Sequence, residues 1–249
     1  MTRYDTIGRT YGTTRRADPR IAARIADALA GTNRVLNVGA GTGSYEPRDG
    51  TVVACEPSRT MLGQRRHDAA PAVRGRAEAL PFADDAFDAA LATLTVHHWE
   101  DLDGGLRELQ RVARRQVVFS FEPDVVASFW LVPEYFPEIL DLASERAAPD
   151  AERLADVLDV DRVEIVPVPA DCTDGFGCCY WNRPEAYLDQ YVQEGISSLA
   201  QLDPEVRRRG TEQLRADLES GAWDARHGEL RALDEIDLGY RLLVAGHLS

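Results

Sequence analysis

Lysine is absent from this 249-residue chain, and all 28 of its basic residues are arginine. Chemistry that runs through a lysine Schiff base is thereby excluded. Acidic residues number 42, for a net charge of −14, and a surface of that sign repels phosphate backbones and anionic lipid headgroups. Neither nucleic acid nor a membrane is an expected partner. The run Arg207-Arg208-Arg209 reads as a solvated helix face. Cysteine is scarce: Cys55, Cys172, Cys178 and Cys179 are too few and too unevenly spaced for a disulfide framework or a C-x-x-C zinc pair. No metal is expected, and the thiols read as packing. No apolar stretch reaches the roughly 18 to 20 residues that span a bilayer, and the opening Met1-Thr2-Arg3-Tyr4-Asp5 lacks the apolar core of a secretory signal. The expectation is a cytoplasmic protein without internal repeats or low-complexity tracts.

What is present is an alternation of apolar runs and amphipathic stretches. Asp18 and Pro19 open a segment with apolar residues at 21, 25, 28 and 29, closed by Gly31, which is the pattern of a capped helix. The run Arg34-Val35-Leu36-Asn37-Val38 leads into glycines at 39, 41 and 43, where the backbone can turn tightly and a ligand can come close. A second apolar run over 51–55 ends at Glu56, thirteen residues past Gly43. A helix is expected over 57–66, a short strand over 72–76, and over 87–96 a nearly continuous apolar strand, as suits a parallel strand buried on both faces. A helix over 102–114 feeds a strand over 116–121, and the pattern breaks at Pro123. A helix near 149–158 and strands near 162–168 and 238–245 resume it. The fold class that follows is α/β: a doubly wound, Rossmann-like, mostly parallel seven-stranded sheet with helices on both faces, its ligand lying across the carboxyl ends of the strands. We read one domain, with a core over 19–122, 149–170 and 236–249, a lid over 1–18, and helical cap insertions over 123–148 and 171–235.

The dinucleotide fingerprint of hydride-transfer enzymes requires G-x-G-x-x-G with an acid about 20 residues on. This chain has G-x-G-x-G and a nearer acid, which weakens a nicotinamide reading. Taken with Cys55-Glu56-Pro57-Ser58, Ala77-Glu78-Ala79-Leu80-Pro81-Phe82 and Val96-His97-His98-Trp99, the glycine turn resembles the class I S-adenosylmethionine (SAM)-dependent methyltransferases in their small-molecule branch, specifically over 35–120. The resemblance implies SAM as cofactor. Its amino acid end would pack on Gly39, Ala40, Gly41 and Gly43. Glu56, followed by Pro57, would hold the ribose, and Met61, Ala77 and Glu78 would border the adenine, with Thr93 also at the cofactor. Two positions depart from the family: Asn37 replaces a common acid, and Arg76 stands where many relatives place an acid facing adenine. An amide can still accept a hydrogen bond from the SAM ammonium, but it brings no charge.

Methyl transfer is an in-line displacement helped chiefly by positioning in a dry pocket. A base is needed only where the acceptor must lose a proton. His97 and His98 follow the fourth strand, and imidazole has the intrinsic pKa for that task. On an extended segment the two face opposite ways, with His98 the preferred catalytic residue. Substrate contacts are expected from Tyr4 and Tyr11 in the lid, from Glu122 and Asp124 after the fifth strand, and from the cap aromatics Trp130, Tyr135, Phe136, Tyr180 and Trp181. The expected partner is a small-molecule acceptor, such as a natural-product intermediate, and a homodimer stays open. Two other readings remain at this level: the same scaffold used for cyclisation or another displacement without methyl transfer, or a non-catalytic binding subunit.

Overall fold

The computed structural model describes residues 15–247, so the expectations for Tyr4 and Tyr11 lie outside the described residues. Seven strands make one sheet: β1 (Arg34–Val38), β2 (Thr51–Cys55), β3 (Ala72–Val73), β4 (Phe87–Thr93), β5 (Ala113–Phe121), β6 (Val160–Ile165) and β9 (Tyr240–Ala245). Their order is β3-β2-β1-β4-β5-β9-β6. The pairings from β3 to β5 are parallel, while β9 runs antiparallel between β5 and β6. A separate antiparallel pair joins β7 (Val168–Pro169) to β8 (Glu235–Ile236). The doubly wound, mostly parallel sheet expected from the sequence is the one observed. Its strand order reverses between β1 and β4, where the crevice for a ligand opens in folds of this type.

The apolar alternation explains the layers. Ala89 and Leu91 of β4 join Val35, Val117 and Phe119 on one face, under the helix α1 (Pro19–Ala28) through Ile21 and Ile25. Ala90 and Ala92 point the other way, joining Leu36, Val118, and Leu106 and Leu109 of the helix α3 (Leu102–Val112). Burial on both faces is why β4 reads as an unbroken apolar run.

Several boundaries differ from expectation. The helix expected over 57–66 is the short α2 (Arg59–Gly63), because Ser58 caps it by accepting from the Met61 N–H. The helix over 102–114 stops at Val112, and Ala113 already belongs to β5. The helix near 149–158 is confined to Ala151–Ala155, and the strand over 72–76 to Ala72–Val73. The run over 162–168 splits: Val160–Ile165 pairs in the main sheet, while Val168 leaves to pair with Ile236. The last strand starts at Tyr240, after Gly239 with φ +84°. Between β1 and β2, residues 39–50 contain no helix, although parallel neighbours usually need one to cross over.

Segments 123–148 and 171–235 pack together over one face of the sheet around an aromatic cluster. Trp130 meets Tyr135, Tyr187 and Trp223 edge-on at 5.9, 5.6 and 5.3 Å, and its Nε1 donates to the Trp181 carbonyl at 3.0 Å. This corrects the expectation for Trp130, Tyr135, Phe136 and Trp181. Their rings are buried inside the cap because that much aromatic surface stabilises the cap most when removed from water. Gly210 lies against Phe136, where a Cβ would come within 2.4 Å of its ring. Cys172, Cys178 and Cys179 are free and buried in the same cluster. Burial pushes the Cys178 thiol up to about 12, so it stays protonated.

Two buried carboxylates tie the cap to the rest. Asp174 accepts from Arg15 Nε and Nη2 (2.6 and 3.1 Å), from the Tyr45 hydroxyl (2.8 Å) and from the Gly175 N–H (2.7 Å). Asp18 caps α1 through the Arg20 N–H, pairs with the Arg20 guanidinium at 2.7 Å, and accepts from the Thr173 N–H at 3.1 Å. Burial raises the Asp18 pKa, but these hydrogen bonds outweigh it and bring the group down to about 2. A carboxyl depressed in the folded state contributes stability above its unfolded pKa of about 3.9, and that stability is lost as pH falls toward 2. Urea unfolding at about pH 5 and about pH 2 should therefore show wild type losing roughly 2 kcal/mol more than Asp18→Asn over that interval.

Candidate active site

A cavity of about 580 Å³ lies at the carboxyl ends of β1, β2 and β4, within the size range of small-molecule sites. Its floor is the glycine turn. Gly39 has φ +67°, and a Cβ there would come within 2.0 Å of Thr95 Oγ1, so only glycine lets β1 pass this close to the end of β4. Gly41, at φ +53°, lies beside the Met61 methyl.

Glu56 stands in the wall where β2 ends. Its Oε2 accepts from the Gly41 N–H at 2.9 Å and its Oε1 from the Ser58 N–H at 2.8 Å. Both oxygens are thus held on backbone donors, and the carboxylate is buried yet lines the cavity. This is the geometry of an anionic hydrogen-bond acceptor set up before a ligand arrives. Further along the wall, Arg76 pairs with Glu78 at 3.3 Å and Glu100 at 2.8 Å. Burial raises the Glu78 pKa, yet the backbone N–H groups of Glu100 and Asp101, together with Arg76, lower it on balance.

Leu94 follows β4 with φ +48°, a left-handed backbone that costs an L-residue about 1–2 kcal/mol. The turn it makes delivers the 3₁₀ segment Val96–His98 to the sheet edge. This corrects the expectation that His97 and His98 face opposite ways: in the 3₁₀ turn their rings lie 3.8 Å apart between centroids, tilted by 51°. A second, smaller cavity of about 70 Å³ lies beyond them, with walls that include His97, Phe121, Phe176 and Tyr240. Arg15, Leu94 and His98 border both cavities. Glu145 and Ile196–Ser198 of the cap also line the second space.

Of the residues expected at a cofactor, Asn37, Gly39, Ala40, Gly41, Glu56, Pro57, Met61, Ala77, Glu78 and Thr93 all border the larger cavity. Gly43 does not. It sits behind the floor, where a Cβ would press on Glu46 Oε2 at 3.0 Å and Arg65 Nη1 at 3.3 Å. Among the described residues Thr93 Oγ1 is buried without a hydrogen-bond partner. The cavity therefore offers close backbone approach at its floor, a fixed carboxylate in its wall and an uncommitted hydroxyl, a donor and acceptor set that fits an adenosyl amino acid.

The substrate contacts expected from the strand end and the cap do not border either cavity. Glu122 sits at the N-cap of the helix Pro123–Ser128, 3.8 Å from Arg241, and Asp124 lies in the first turn of that helix. Tyr180 is taken up by Tyr187, edge-on at 5.6 Å, and by the Arg183 guanidinium over its ring at 5.1 Å. Sequence reasoning missed Arg15, Tyr45, Thr95 and Trp99 at the larger cavity. Arg15 and Tyr45 gain their meaning from Asp174, 159 and 129 residues away. Trp99 had a local signal, since its ring packs where a Cβ on Gly105 would come within 2.4 Å. No group of three or more potential metal ligands occurs among the described residues.

A family profile for the methyltransferase domain matches residues 36–121. The demethylmenaquinone methyltransferase of Corynebacterium kroppenstedtii is 33% identical over 152 residues, 59% of this chain and 63% of that protein. The chain spans about half to just under two thirds of the length of such curated relatives. Among solved structures, a candidate methyltransferase from an antibiotic biosynthesis pathway in Anabaena variabilis has a TM-score of 0.85 at 33% identity, covering 94% of this chain and 99% of that one. The cyclase SpnF shares the fold alone, at a TM-score of 0.52 and 18% identity over 91% and 79% of the two chains. One-third identity along nearly the full length of two chains, with a glycine floor and a buried, backbone-held carboxylate in one cavity, assigns this chain to the class I SAM-dependent methyltransferases, with SAM as cofactor.

Proposed function

We propose that the protein transfers a methyl group from SAM to an oxygen, nitrogen or carbon of a small organic acceptor, such as a natural-product intermediate. One observation carries this reading: the cavity walled by Glu56 and the glycine turn meets a second, aromatic-lined cavity at Arg15, Leu94 and His98. At about 70 Å³ the second cavity is small for a whole acceptor, so in this reading the acceptor extends from it past His98 into the larger one.

In this reading Glu56 accepts the ribose hydroxyls, trading its bonds to Gly41 and Ser58 for them or sharing them. Gly39–Gly41 give the amino acid end close backbone approach, with Asn37 beside it, and Met61, Ala77 and Glu78 border the adenine. SAM supplies an electrophilic methyl on a sulfonium. The chain's part is to hold the acceptor in line, to keep water out with Phe121, Phe176 and Tyr240, and to take a proton where the acceptor must lose one. In this reading His98, which borders both spaces, takes that proton; His97 stacks against it at 3.8 Å and meets Phe121 edge-on at 5.1 Å. The cap segments 123–148 and 171–235 contribute Val126, Glu145, Phe176 and Ile196 to the acceptor side.

Titration calorimetry with SAM and with S-adenosylhomocysteine should show binding by the wild-type protein and its loss in Glu56→Ala. Unchanged binding in that variant would overturn the ribose assignment. In assays with candidate acceptors, His98→Gln should lower kcat by about 10²- to 10⁴-fold, the usual span for a general base, and far more than it changes SAM affinity. Consumption of an acceptor without S-adenosylhomocysteine release would reject methyl transfer in favour of another reaction on this scaffold.

A further inference from the structure

The segment that replaces the crossover helix between β1 and β2 carries Glu46, which forms a buried ion pair behind the cofactor cavity with Arg65, two residues past α2. Glu46 Oε1 accepts from Arg65 Nη2 at 2.5 Å, and Glu46 Oε2 accepts from the Ala70 N–H at 3.1 Å. Arg65 also donates to the Gly41 carbonyl at 3.3 Å and to the Ala70 carbonyl at 3.0 Å. The two side chains are only 8% and 5% exposed. Neither borders the cavity, but Asn37 does, and its Nδ2 donates to Glu46 Oε1 at 3.2 Å. An amide has its donor and its acceptor on opposite arms. Turning this one over would set Oδ1 against a carboxylate oxygen with no proton between them. Glu46 therefore fixes the amide with its carbonyl arm away from the ion pair.

We propose that Glu46, clamped by Arg65, is a positioning residue that holds Asn37 Oδ1 toward the cavity as the acceptor for the ammonium of the cofactor's amino acid end. This rests on the cofactor reading of the cavity. Because Arg65 neutralises Glu46, the site recognises the ammonium through a fixed dipole and not through a net charge. A carboxylate at 37 would sit within hydrogen-bond distance of Glu46 with nothing to share, so the amide and the acid behind it are a matched pair. Gly43 belongs to the same device, since any side chain there would press on both members of the ion pair.

The test uses the full chain and two calorimetric ligands: S-adenosylhomocysteine, which carries the ammonium, and methylthioadenosine, which lacks the amino acid end. Glu46→Gln and Asn37→Asp should each weaken S-adenosylhomocysteine by about tenfold or more, the scale of one hydrogen bond to a charged group. Methylthioadenosine should stay within about twofold of wild type, because its binding does not use that bond. The double variant Asn37→Asp/Glu46→Gln moves the single carboxylate into the cavity wall and should restore S-adenosylhomocysteine affinity. Glu46→Gln leaves the Arg65 charge buried and open to misfolding, so Glu46→Gln/Arg65→Gln is a second variant for which the same ligand-selective loss is expected. Equal losses for both ligands, or additive losses without rescue in the double variant, would overturn the proposal while leaving the cofactor reading intact. Wild-type protein that binds neither ligand would overturn both.

Discussion

Burying a carboxylate is costly unless each oxygen is met by donors, and Asp174 meets that condition with groups from three parts of the chain. Arg15 comes from the segment before the first helix, Tyr45 from the loop after the glycine turn, and Gly175 from the cap itself. The same side chains wall the cofactor cavity: Arg15 stands where the two cavities meet, and Tyr45 lines the larger one while its ring packs edge-on to Phe119 at 6.2 Å. This buried charge therefore helps to set the position of the cap relative to the sheet and the shape of the space between them. Asp18, three residues after Arg15, repeats the arrangement, joining the start of α1 to the Thr173 N–H. Were the cap held by apolar contacts alone, it could slide; directional bonds give it one register.

Most of the sheet was legible because its periodicities are strong. β4 is buried on both faces and reads as a continuous apolar run, and α1 shows both its cap and its apolar stripe in plain sequence. Much of the lining of the larger cavity was legible for a related reason: Gly39, Gly41, Glu56 and Met61 lie close together in sequence, on elements whose order fixes where they meet. Boundaries were harder to read. Val160–Ile165 is an outer strand with several exposed positions, so its apolar signal is weak and drifted on to Val168, which serves a different pair.

The lining of the smaller cavity was not legible, for two physical reasons. Aromatic residues look alike in sequence whether they line a hollow or fill one, and Trp130, Tyr135, Phe136 and Trp181 fill the cap. The walls of the small cavity come from residues as far apart as Leu94 and Tyr240, and no local pattern joins them. The histidine pair shows the same limit at short range. Period-two reasoning separates neighbours on an extended segment, whereas the left-handed residue Leu94 and the 3₁₀ turn after it bring the two imidazoles together.

The helix-free link between β1 and β2 has a consequence for how the chain finds this fold. It lets residues seventeen apart pair, as Arg34 does with Thr51, whereas Val117 and Val244 of the β5–β9 pair are 127 apart. Loop closure over the shorter span is easier by about 2 kcal/mol in chain entropy. The two strands that carry the cofactor floor and Glu56 are thus the ones whose ends meet at least entropic cost, and contacts of low sequence separation form fastest. Assembly can then proceed outward from the cofactor site, with the cap, which needs Asp174 to reach back to Arg15 and Tyr45, closing last.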